Sequence, residues 1–156
     1  MARIYKTIRL AFETKYWIDQ LIEKRTELLQ ASIRDDKLQE RIEAQLFELN
    51  NKDLDGISIN ISLNVTVGSV IEQAVRYSRN LSEGDWRRLA METEAAKKSI
   101  KSTTRNDSTP RIYLSEEIYR ELEDLQIVLK RVLGTERLVR ISFAIKLAVY
   151  NLYKSL

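Results

Sequence analysis

The chain has 156 residues, 44% of them hydrophobic and 31% charged, with only four Gly and one Pro. This composition suits one compact domain or two very small ones, mainly helical, and excludes an all-β sandwich. There is neither Cys nor His, which excludes disulfides, thiolate nucleophiles, imidazole bases and nearly every transition-metal site, so no cofactor is expected. The 26 Lys and Arg are nearly balanced by 23 Asp and Glu, and the net charge of +3 does not by itself announce a nucleic-acid partner; the local distribution must do so.

In chain order, Arg3 to Leu10 is rich in β-formers, with Ile4, Tyr5, Ile8 and Leu10, and is predicted as a strand. From Glu13 the apolar spacing changes to Trp17, Ile18, Leu21, Ile22, Leu28 and Leu29, the period of an amphipathic helix ending around Gln30. A second helix follows, capped by Asp35 or Asp36, with Leu38, Ile42, Leu46 and Leu49 on one face. That stripe either packs within its own domain or faces a sister chain or protein partner.

Ile57 to Val67 alternates strictly between apolar and polar residues, which predicts a strand for at least its first half. It runs into Val70, Ile71, Ala74, Val75 and Tyr77, a helical spacing with Asn64 or Thr66 as cap, so residues 63–68 fit either element. A helical piece around Trp86 to Ala96 precedes KKSIKSTTRNDSTP, a polar, basic stretch that reads as a linker. After Pro110 come a strand at Arg111 to Leu114, a helix from Ser115 or Glu116 to Leu133, a turn at Gly134 to Arg137 and a final helix. Among the aromatics, Trp17 is expected in the core, and Tyr16, Phe47 and Trp86 in the core or at its boundary or as partner anchors.

The chain also repeats. Adding 104 carries Ile8, Leu10, Glu13, Leu21 and Leu29 onto Ile112, Leu114, Glu117, Leu125 and Leu133, and adding 74 carries Val65, Ile71, Ala74 and Val75 onto Val139, Ile145, Ala148 and Val149. The two spacings differ because the first copy holds extra residues between its helices. The expected organisation is a first unit at 1–81 with an insertion at about 31–62, a helical then basic linker at 82–108, and a second unit at 109–156.

The unit of strand, helix, short turn and helix, seen end to end in RIYLSEEIYRELEDL and GTERLVRISFAIKLAVYNL, resembles the ribbon-helix-helix superfamily of Arc, MetJ and CopG-type DNA-binding proteins. KTIRLAFET and VTVGSVIEQAV look like the same phrases in the first copy. Ala11 and Ser115 stand where the family often has Pro, and Gly134-Thr135-Glu136 only partly resembles its turn. The tandem form is similar to accessory proteins of conjugative relaxosomes. The resemblance implies a mainly α fold with a short antiparallel β-ribbon, made within one chain or between two chains of a homodimer. It implies sequence-specific binding of double-stranded DNA by a repressor in transcription regulation or a plasmid conjugation protein. With no Gly-rich phosphate loop no catalysis is expected, and with no signal-peptide core after Met1 the expected location is cytoplasmic. No apolar run approaches the roughly 20 residues of a membrane span, so no membrane partner is expected.

A two-stranded ribbon fits the major groove and turns alternate side chains outward. With Ile8, Leu10, Ile112 and Leu114 inward, the candidate base contacts are Tyr5, Thr7 and Arg9 in one strand and Thr109, Arg111 and Tyr113 in the other. Arg9 and Arg111 suit guanine O6 and N7, and the threonines suit a hydroxyl or methyl contact. Candidate phosphate contacts are Thr66, Gly68, Ser69, Arg137 and Arg140 at the starts of the second helices, and Lys97, Lys98, Lys101 and Arg105 in the linker. Plain capping at Thr66 and Ser69 and a solvated, edge-protecting strand are the structural alternatives. A functional alternative is an antitoxin-like or scaffolding protein whose inserted helix, through Leu38, Ile42, Leu46 and Leu49, holds a protein partner.

Overall fold

A computed structural model describes residues 2–33, 36–49, 63–101 and 106–156. The elements run β1 Arg3–Thr7, α1 Phe12–Ile33, α2 Asp36–Leu49, α3 Val67–Tyr77, α4 Glu83–Lys98, β2 Arg111–Ser115, α5 Glu116–Leu133 and α6 Ile141–Tyr153. The protein is thus mainly helical with a small two-stranded antiparallel sheet. By contacts it divides into two units, Met1–Ile22 with Thr66–Leu156, and Glu23–Val65.

In the larger unit, β1 and β2 pair antiparallel, from Arg3 opposite Ser115 to Thr7 opposite Arg111. The same register continues beyond the regular ladder, where Leu10 and Ser108 exchange both backbone hydrogen bonds at 2.7 and 3.0 Å. Between these, the Ile8 N–H donates to the Pro110 carbonyl at 3.3 Å. Pro110 has no N–H to return that bond, so the regular strands are shorter than the expected Arg3 to Leu10 while the pairing itself reaches Leu10.

The inward side of this ribbon, with Leu10, Ile112 and Leu114 buried, joins a core of Val70, Ile71 and Ala74 from α3 and Ile118, Leu122 and Leu129 from α5. From α6 the core takes Ala144, Ile145, Leu147, Ala148 and Val149. α3 packs on α6 and on β2, and α5 packs on α6. Trp17 is 1% exposed, its ring 4.8 Å from that of Tyr150 and 6.3 Å from that of Tyr153, which fixes the first turns of α1 to α6. α5 ends on Gly134, whose φ of 66° is the left-handed conformation that closes helices at least cost.

Several boundaries differ from the sequence expectation. α1 runs past Gln30 to Ile33. Of the alternating segment, residues 57–62 lie outside the described residues, Leu63 to Thr66 belong to no strand among the described residues, and Val67 already begins α3. Thr66 decides this: it caps α3 in a reciprocal box with Ser69, and the apolar positions beyond follow helical spacing. The stretch 82–108 carries a core helix as well as polar residues. α4, opened by a Ser82–Asp85 capping box, buries Trp86, Leu89 and Thr93 against α5 and α6, and Ile100 is 5% exposed just beyond it.

The smaller unit holds the end of α1 and α2. In the expected partner stripe Ile42 is half-buried, and the side chains of Leu38, Leu46 and Leu49 lie outside the described set, as do residue 35 and the Phe47 side chain. No helix among the described residues is long and apolar enough to cross a membrane.

Two sequence spacings reappear in the element starts. α5 begins 104 residues after α1, and α6 begins 74 residues after α3.

Candidate nucleic-acid interface

The outward side of the ribbon presents all six candidate base contacts to solvent. Tyr5, Thr7, Arg9, Thr109, Arg111 and Tyr113 are each exposed, and the residues alternating with them are half-buried or buried. The register opposes them in three cross-strand pairs: Tyr5 with Tyr113 and Thr7 with Arg111, then Arg9 with Thr109 where the ribbon continues. Because Leu10 and Ser108 form a hydrogen-bonded pair, these outward pairs fall on the non-bonded positions, where antiparallel side chains stand closest.

The side chains are already organised. The Tyr5 and Tyr113 rings lie 4.6 Å apart. The Arg111 guanidinium sits 4.1 Å above the Tyr5 ring, and that of Arg3 5.5 Å from the Tyr113 ring. Such a cation–π contact restricts the Arg111 guanidinium without using its hydrogen-bonding edges, whereas the Arg3 guanidinium is also bonded to Glu72. Arg9 forms an ion pair with Asp107 at 3.1 Å.

A buried carboxylate anchors the ribbon. Glu72 on α3 accepts from Arg3 at 2.8 Å and from the buried Ser115 N–H at 2.7 Å. The Arg76 guanidinium lies 3.4 Å away on the same helix. One side chain thus ties both strands to α3 at the Arg3–Ser115 pair. On the inward side Lys6 extends over the Tyr119 ring, 4.6 Å from its centroid.

The starts of α3 and α6 approach the ribbon differently. A Cβ added to Gly68 would lie 2.1 Å from the Tyr113 carbonyl oxygen, so the helix meets the strand backbone there, and Gly68 is buried by that contact. The Thr66 and Ser69 side chains are engaged in the capping box. At α6 the N-cap is Arg140, which makes no side-chain capping bond. Arg140, Ser142 and Lys146 line a cavity of about 420 Å³ together with Ala11 and Thr14 from the end of the first strand segment and the start of α1. The Thr14 hydroxyl is buried without a hydrogen-bond partner among the described residues, and Lys146 lies 3.6 Å from the buried Glu13 carboxylate.

Arg137 is exposed in the turn before α6. Lys97 and Lys98 belong to the last turn of α4, with Lys97 5.6 Å from the Phe12 ring. Lys101 is exposed beyond α4, and residue 105 lies outside the described residues.

Three contributors were not among the candidates: Arg3, Glu72 and Asp107. Only Glu72 left a sequence signal, as an acidic residue directly after the apolar pair Val70 and Ile71. The other two depend on cross-strand geometry.

No protein-family model, curated protein or solved structure matches the chain.

Proposed function

We propose that the protein binds double-stranded DNA in a sequence-specific manner, laying the β1–β2 ribbon in the major groove so that its outward residues read base edges. The chain is read as a tandem pair of ribbon-helix-helix half-units that supplies both strands itself. One observation carries this. The spacing of 104 residues, found in the sequence without reference to pairing, sends Thr7 to residue 111, and residue 111 is its cross-strand partner. A ribbon built from two copies of one unit has its pseudo-twofold axis where a residue faces its own equivalent. Here that point falls on the middle pair of the two outward trios. The matching helix starts support the same reading.

Arg9 and Arg111 are the principal base contacts, through bidentate bonds to guanine. The N-terminus of α3, which packs on β2, and that of α6, which shares a cavity with Ala11 and Thr14, offer backbone N–H groups to phosphates, with Arg137 and Arg140 adding charge at α6. A protein of this kind serves as a transcriptional repressor or as an accessory factor in plasmid transfer, both of which need site recognition and no chemistry.

The test is a gel shift with the DNA upstream of its own gene against unrelated competitor, for the native chain and for Arg9→Ala with Arg111→Ala. Preference for the specific duplex should fall at least tenfold in the double variant, with circular dichroism unchanged. An unaltered preference would reject the ribbon as the reading surface.

A further inference from the structure

Resting on the DNA reading above, we infer that this ribbon recognises a polar, non-palindromic duplex and binds it in one orientation. A homodimeric ribbon has identical ends, because each outward residue recurs on the other strand and the target mirrors that symmetry. Here the pairing keeps the geometry of such a ribbon and differs in chemistry at every outward step. The central pair is Thr7 with Arg111, so the axis position itself is mismatched.

To one side stand Tyr5 and Tyr113, rings 4.6 Å apart. Both guanidinium groups nearby lean toward this end, Arg111 over Tyr5 and Arg3 toward Tyr113. To the other side stand Arg9 and Thr109, with Asp107 bonded to Arg9 at 3.1 Å.

The two ends suit different base pairs. The two phenol rings, tilted 33° to one another, present apolar surface that packs on the thymine methyl group, so the aromatic end beyond Arg111 matches an A·T step. At the other end Arg9 matches guanine O6 and N7, and the Asp107 carboxylate is an acceptor for the cytosine amino group, so this end matches a G·C pair. The central Arg111, held over Tyr5, is displaced from the axis toward the aromatic side, so its guanine contact falls between the centre and the A·T step. The ligand is therefore duplex DNA with an A·T step on one side of the centre and a G·C pair on the other. The bound protein points in a defined direction along it.

The experiment selects binders from a pool of random-sequence duplexes using the full chain and then maps orientation. Since the chain has no Cys, Asn106→Cys and Ala2→Cys each give a single attachment point for an iron chelate that cleaves nearby DNA. Residue 106 adjoins the Arg9 end and residue 2 the aromatic end. The expected result is an enriched motif without twofold symmetry, cut on one flank by the first conjugate and on the opposite flank by the second. Tyr5→Ala with Tyr113→Ala should relax base preference by about tenfold in the A·T half only, and Arg9→Ala by about tenfold in the G·C half only.

A palindromic motif cut on both flanks by each conjugate overturns the polarity while leaving DNA recognition intact. A pool that yields no enriched sequence overturns the DNA reading and the polarity together.

Discussion

Gly68→Ala tests whether the ribbon is seated on the start of α3. In an isolated helix this change is favourable by up to about 1 kcal/mol, since alanine loses less backbone freedom on folding. Here the new methyl group would stand 2.1 Å from the Tyr113 carbonyl oxygen and 3.1 Å from its carbon. Both are backbone atoms of a paired strand, and no side-chain rotation relieves the contact. Reaching an ordinary separation needs a displacement of roughly 1 Å, in a core where added methyl groups cost about 1–3 kcal/mol. The net expectation is a loss of about 1–2 kcal/mol. In urea, with a slope of about 2 kcal/mol per molar, the midpoint should fall by roughly 0.5–1 M with the slope unchanged. A midpoint that stays put or rises would show that helix propensity governs this position and that α3 does not meet the strand as described.

Three further expectations concern the same unit. Glu72→Ala would strand the Ser115 N–H and remove the acceptor for Arg3, costing about 3 kcal/mol in a denaturation experiment, with Glu72→Gln losing less. Because the ribbon closes within one chain, the unfolding midpoint should not vary over a hundredfold range of protein concentration; a concentration-dependent midpoint would indicate strands exchanged between chains. The Ser82 N–H, helped by the Ser82 hydroxyl, holds the Asp85 carboxyl below the ordinary carboxylate range. A depressed folded-state pKa contributes stability above the unfolded value that is lost as pH falls through the folded one. The Asp85 resonance should therefore titrate at lower pH than those of unpaired carboxylates, and Ser82→Ala should raise its midpoint.

Much of the fold was legible because it rests on local signals. The amphipathic faces of α1, α3, α5 and α6 repeat at helical spacing, and the strand alternation at Ile8, Leu10, Ile112 and Leu114 separates inward from outward positions. Thr66 and Ser115 are capping residues by type, and both accept from the third residue of the helix they open. The two offsets were visible because buried positions on matching faces are constrained to similar apolar residues.

What was hidden depends on distant partners. α4 has a narrow apolar face of Trp86 and Leu89 among charged residues, and its burial comes from the surfaces of α5 and α6 that it covers. Ile100 lies in a stretch of polar residues whose composition says nothing of the pocket it enters. Gly68 reads as a phosphate-facing glycine in isolation, and only the strand above it shows that a side chain is excluded by close packing. Pro110 interrupts the ladder because of what faces it across the ribbon. The alternation entering α3 illustrates a competition of periods: beyond Thr66 the capping box and the buried Val70, Ile71, Ala74 and Val75 favour the helix.

Nuclear Overhauser contacts between the isotope-labelled protein and a selected duplex test the proposed reading surface most directly. The Thr7 and Thr109 methyl groups and the Tyr5 and Tyr113 ring protons should show contacts to cytosine H5 and thymine methyl protons, which line the major groove. Contacts from these bases to the exposed side of α5, or DNA contacts confined to minor-groove protons, would contradict it.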